Sequence, residues 1–255
     1  MTDYQQLFEE LQTINYPKTD KVEMLSIPYK DNEGKHRVLD FGFFPAGRGT
    51  FDNDENISGK RIMILGQDFD CDNNYYDTDI ALTENPNGNA TWRNLLSFLK
   101  EVSKEDIHKN CFYTNAIMGV RKGEIGTGKS PAFKDENFIK QCQKLFLKQL
   151  DIQKPKAIFV LGKYVAEFLE PLEKEGNTNL ANWKSINNFA EVDIDDYWKI
   201  GVTFRNGIET NLVILVHPSL RHANLRHRRL EKFKGTNSED VEVLMVKKFL
   251  ETINF

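Results

Sequence analysis

Residues 61–70 read RIMILGQDFD, an apolar run that ends in a glycine, an amide and two acids. Three more such runs follow: CFYTNAI at 111–117, AIFVL at 157–161 and LVILV at 212–216. Short unbroken apolar runs, without the alternation of a half-exposed strand, predict strands buried on both faces. The segments between them have a different period. Trp92, Leu95, Leu96, Leu99 and Val102 keep the spacing of one helix face, as do Phe138, Ile139, Cys142, Leu145, Phe146 and Leu150. A third helix is predicted from Gly162, with Tyr164, Val165, Phe168 and Leu169 inward, and a fourth after Ser238, with Val246, Phe249, Leu250 and Ile253 inward. This alternation predicts an α/β fold: three layers, α/β/α, around a central, mainly parallel four-stranded sheet.

The 255 residues suffice for one such core, so a single domain over 1–255 is expected. Residues 1–58 read as a decoration on it: an amphipathic helix (Leu7, Phe8, Leu11, Ile14), then a hairpin around Asp31–Gly34 leading into VLDFGFF. Residues 175–210 carry little pattern. Asn206-Gly207, between VTF and the last apolar run, is the signature of a type I′ hairpin. Hydrophobic residues make up 40% and charged residues 28%, an ordinary globular balance. No apolar run approaches the roughly 20 residues of a membrane span. The opening, MTDYQQLFEELQTI, is acidic and amphipathic where a secretory signal is basic and then apolar. A cytoplasmic monomer is expected. Cys71, Cys111 and Cys142 are too scattered for a disulfide framework or a metal site and read as small core residues.

The net charge of -4 disfavours a protein that coats nucleic acid indiscriminately. Between 221 and 234, however, Arg221, Arg226, Arg228, Arg229, Lys232 and Lys234 face Glu231 alone, which predicts one polyanion-facing surface.

In an open parallel sheet, ligands bind outside the carboxyl ends of the strands. The residues there are Gly66-Gln67-Asp68-Phe69-Asp70, Thr114-Asn115-Ala116, Gly162 and His217-Pro218-Ser219. An acid, an amide and an imidazole are thus expected on one edge. Each also has a plainer reading: Asp68 capping a turn, His217 as a structural residue before proline, Asn115 satisfying backbone at a strand end.

In this order the motifs resemble those of the uracil-DNA glycosylases. ILGQD is similar to that family's water-activating motif, YTNAI to its base-reading strand, and VHPSLR to its DNA-intercalation loop; TWRNLLSFL and KPKAIFVLGKYVAEFL agree less specifically, and the likeness spans roughly 61–225. The resemblance implies a DNA glycosylase of base excision repair that flips an altered base out of DNA and hydrolyses its N-glycosidic bond, with no cofactor and no metal. It implies Asp68 and His217 as catalytic residues, and Gln67, Asn115, Phe69 and Leu82 around the base. Ser219, Leu220, Arg221, Arg226, Arg228 and Arg229 would meet DNA, with Leu220 or Arg221 filling the vacated space. The chain departs from the best-known branch in two places. Phe69-Asp70-Cys71 stands where that branch has Pro-Tyr-His, and Leu82 stands where it has the stacking phenylalanine. Phe69, Tyr75 and Tyr76 are the candidates for the missing aromatic face.

Other chemistries have weaker support. Residues 123–130, GEIGTGKS, fit the P-loop pattern, but Pro131 follows and the next helix is predicted only near Asp135, so no helix would open at the phosphates. Asp68, Asp70 and Asp72 alternate as a metal-binding run suited to phosphoryl transfer, yet as a calcium loop they lack the glycine at position six and the glutamate at position twelve. A third alternative is a non-catalytic DNA-binding or interaction module on the same fold.

Overall fold

The structure is a computed structural model and describes residues 3–27, 42–50, 59–70, 90–103, 107–123, 128–177, 179–180, 183, 197–221 and 238–255. All four apolar runs form strands. β2 (Ile62–Gly66), β3 (Cys111–Asn115) and β5 (Ala157–Leu161) are buried at every position, and β7 (Glu209–Leu215) is buried along its apolar half. They pair in parallel in the order β3-β2-β5-β7. Among the described residues the sheet has five strands, not the expected four: β6 (Trp198–Thr203) adds an antiparallel edge to β7. Its sequence, WKIGVT, shows no apolar run because only Val202 is fully buried and Ile200 is 45% exposed. An edge strand covered on one side has no need of two apolar faces.

The β6–β7 hairpin falls where Asn206-Gly207 predicts it, with a different turn. Phe204 N donates to Ile208 O and Gly207 N to Phe204 O, enclosing a loop of Arg205, Asn206 and Gly207. Only Gly207 has positive φ, +83°, whereas a type I′ turn needs two such residues. The geometry is a type I turn closed by a left-handed glycine, and the Asn206 carboxamide stabilises it by accepting from Ile208 N.

Helices cover both faces. α2 (Ala90–Val102) and α5 (Ser238–Thr252) pack together, and Phe249 of α5 meets Phe159 of β5. α3 (Glu136–Gln153) and α4 (Lys163–Leu169) meet through Phe146 and Phe168. Asp135 caps α3 by accepting from Phe138 N, as the late start after Pro131 requires. The predicted inward faces hold, with Leu96, Ile139, Tyr164 and Leu250 only half-buried. α1 (Asp3–Leu11) lies on α3, where Lys144 pairs with Glu10 at 2.5 Å and Tyr16 packs on Phe138. The chain then forms β1 (Met24–Leu25), antiparallel to β4 (Val120–Arg121) with Met24 opposite Arg121. The expected hairpin around 31–34 lies outside the described residues.

Because β3 and β5 flank β2 on opposite sides, the chain reverses direction across the sheet after β3. The crevice at the carboxyl ends of β2 and β5 is therefore the place for a ligand.

Candidate active site

Asn115 closes β3 opposite Gly66, the last residue of β2. Its carboxamide lies across that glycine, since a Cβ there would stand 2.1 Å from Asn115 Oδ1. Gly66 is thus required by close approach. The adjoining chain segments are bonded as well: Ala116 N donates to Gly66 O, and Ile117 N to Gln67 O. Phe43 reaches the same spot, its ring packed on Trp92 (4.8 Å) and Tyr113 (5.7 Å). Sequence reading passed over Phe43, which lies in a decoration without motif. Phe69 does not offer an open ring face: it is buried in a small cluster with Ile27 and Val120.

The Asp68 side chain is 5% exposed and is paired in two places with Arg121 of β4. Arg121 Nε donates to Oδ2 at 2.6 Å, and Nη2 to Oδ1 at 3.1 Å. Oδ1 also accepts from Asp70 N at 3.4 Å. Burial raises the Asp68 carboxyl above the usual carboxylate range, while the Arg121 guanidinium opposes the shift. Ser130, close enough to favour the charged form, lies outside hydrogen-bond geometry.

The Gln67 side chain is taken up by the turn at 128–130, with Nε2 donating to Gly128 O at 3.0 Å and Oε1 accepting from Ser130 N. Gly128 O accepts from Arg121 Nη2 too. The P-loop-like stretch therefore ends on the guanidinium that holds the acid, and its Lys129 pairs with Glu167 at 2.6 Å. A 3-10 turn, Pro131–Lys134, separates it from α3.

His217 follows β7 and faces the same edge; a Cβ on Gly162 would lie 3.6 Å from its Cβ. Ser219 N donates to Nδ1, and Ser219 Oγ lies 2.8 Å from it. At 3.4 Å the Ser219 N–H favours the neutral ring that holds its hydrogen on Nε2. Burial lowers the imidazole's pKa; the charge of Asp70 opposes this and that of Arg121 adds to it. Asp70 holds a left-handed conformation, φ +69°, and its carbonyl accepts from Arg121 N at 2.9 Å. The acid, amide and imidazole expected on one edge do lie there.

The loop after His217 is braced from behind. Asn94 of α2 donates to Pro218 O at 2.8 Å. Arg221 is turned inward, against the expectation that it meets DNA: it is buried over the Phe98 ring and pairs with Glu242 of α5, whose other oxygen accepts from Val216 N. Ser219 remains exposed. Leu82, Tyr75, Tyr76, Cys71, Asp72, Arg226, Arg228, Arg229 and the side chain of Leu220 lie outside the described residues. Cys111 and Cys142 are buried thiols, each pushed up to about 12. Among the described residues, no three His, Cys, Asp or Glu side chains form a metal-binding group, and no helix is long and apolar enough to cross a membrane.

A family model described as the Uracil DNA glycosylase superfamily matches residues 54–239, from ahead of β2 to the start of α5. The chain belongs to this superfamily. The comparison with curated proteins gives no match. Membership of the superfamily implies DNA as the substrate. Arg121 has no counterpart in the motif reading: a lone arginine in a two-residue strand carries no signal until its partner is seen.

Proposed function

We propose that the chain is a monofunctional DNA glycosylase of base excision repair, which flips uracil or a related altered base from DNA and hydrolyses its N-glycosidic bond. The observation that carries this reading is the placement of Asp68, Asn115 and His217 along one edge of the sheet, at or just past the carboxyl ends of parallel strands. As C1′–N breaks, the sugar becomes cation-like and the electron pair leaves with the base. Asp68, as carboxylate, faces the positive sugar and orients the water whose oxygen bonds to C1′. His217 Nε2–H donates to the base oxygen that gains negative charge. The Asn115 carboxamide offers a donor and an acceptor to the base edge. Lys163, two residues past β5, stands over the Tyr164 ring, and Schiff-base lyase chemistry is not part of the reading.

Oligonucleotides carrying uracil, hypoxanthine or oxidised pyrimidines, single- and double-stranded and with and without EDTA, test it. Release of a free base at the same rate in EDTA is expected. No abasic product from any of them, with folded protein, overturns it. Asp68→Asn and His217→Ala should each slow release roughly 10²–10³-fold with DNA binding retained, as loss of one positioned group typically does. The two-point hold of Arg121 on Asp68 favours the runner-up, a non-catalytic DNA-binding module, and the same assay separates the two.

A further inference from the structure

The carboxylate that the glycosylase reading needs is not free to turn. Its contacts with Arg121 are short, both side chains are at most 5% exposed, and the donors are two nitrogens of one planar group. Such a fork fixes the plane of a carboxylate, which the point charge of a lysine cannot do. Each oxygen keeps lone-pair capacity beyond these bonds, so the contact restrains Asp68 without closing it to water. Arg121 is itself held from several directions: its N–H by Asp70 O, its strand by β1, its Nη2 by Gly128 O. Gly128 O in turn accepts from Gln67, the residue before Asp68. The guanidinium therefore joins the loop after β2, the end of β4 and the turn at 128–130.

We propose that Arg121 is the positioning residue of this site, fixing the plane of the Asp68 carboxylate and tying the 128–130 turn to it. The turn at 128–130 serves that assembly, with Gly128 O docked on the guanidinium and on Gln67. The rate readout below rests on the glycosylase reading; the titration readout does not.

Among the described residues, the Arg121 guanidinium of β4 is the charge that acts on Asp68, Asp70 meets it through its backbone N–H, and His217 beyond β7 feels Asp70 and Arg121. Burial raises the Asp68 carboxyl and Arg121 is the largest of the contacts that oppose it, so removing the guanidinium leaves only Asp70 N and Ser130 against burial. Asp68 would then hold its proton to higher pH.

The experiment compares wild type, Arg121→Gln and Arg121→Lys, following the Asp68 ¹³Cγ resonance against pH, with Asp68→Asn for assignment. Single-turnover base release at saturating DNA and DNA affinity are measured alongside. In Arg121→Gln the Asp68 midpoint should move to higher pH. Release at neutral pH should fall roughly 10²-fold, the effect of a misplacement of about 1 Å, at unchanged DNA affinity. Arg121→Lys restores the charge without the fork, so its midpoint should return toward wild type while its rate stays intermediate. An unchanged Asp68 titration in both variants overturns the proposal. So does a rate loss that is equal at every pH and matched by loss of folded protein. If the glutamine variant does not fold, wild-type release by the lysine variant is the overturning result. A wild-type protein that releases no base defeats the glycosylase reading alone, since the ¹³Cγ titration still decides the role of Arg121.

Discussion

Adding one methyl group at Gly66 should disable the site while leaving the fold in place. An alanine Cβ there would lie 2.1 Å from Asn115 Oδ1 and 3.3 Å from its Cγ, whereas the Phe43 ring, at 3.5 Å, is at ordinary contact distance. A carbon and an oxygen rest at about 3.3 Å, so the carboxamide must retreat by roughly 1 Å. A displacement of that size costs about 10²-fold in rate when the displaced group positions the reacting part. Stability should change little. Crowding costs about 1–3 kcal/mol, offset by the roughly 0.5–1 kcal/mol that alanine gains over glycine within a strand. At about 2–4 °C per kcal/mol for a domain of this size, the melting point should fall by less than about 10 °C. Single-turnover base release and a thermal melt, run on Gly66→Ala, Asn115→Ala and the double variant, give the answer. The double variant should release base no more slowly than Asn115→Ala, because the methyl group then has nothing to displace. A folded Gly66→Ala protein with the wild-type rate would refute the assignment of base reading to Asn115 in this orientation.

Glu242→Ala leaves Arg221 as a buried charge without this carboxylate and frees the loop after β7; a loss of about 3–5 kcal/mol, read by denaturant unfolding, is expected. His217 titrates below its ordinary 6.5 in the folded protein. Just below that value the folded protein binds fewer protons than the unfolded chain, so stability drops as pH falls through this window. Unfolding midpoints at pH 7 and 5.5 should therefore converge in His217→Asn relative to wild type. Replacing Arg226, Arg228 and Arg229 together by alanine should weaken DNA binding about equally for all sequences and flatten its salt dependence, both measured by salt titration. Unchanged affinity and salt slope would move the DNA path elsewhere.

Four strands were legible because a strand buried on both faces must be apolar throughout, and RIMIL, AIFVL and their companions are. β6 was not, since an edge strand with one solvated face tolerates the lysine and glycine of WKIGVT. The placement of Asp68, Asn115 and His217 on one edge of the sheet was legible from the apolar runs they follow. What escaped was pairing through space. Arg121 lies far along the chain from the acid it holds, and its two-residue strand has no pattern of its own. Arg221 was misread for the same reason. Its place in a basic run suggested solvent and phosphate, but its partner Glu242 sits in a helix where a charge looks surface-bound, and that carboxylate is fully buried.

The ladder of Met24 and Leu25 with Val120 and Arg121 bears on what the smallest working unit of this protein is. The family match begins at residue 54, and a fragment cut there would contain every strand of the main sheet and every side chain with a motif behind it. It would lack the strand against which the backbone of Arg121 is registered. With the role proposed for Arg121, a trimmed domain would keep all of its recognisable chemistry and lose the scaffold that aims it, so the boundary of homology would fall short of the boundary of function.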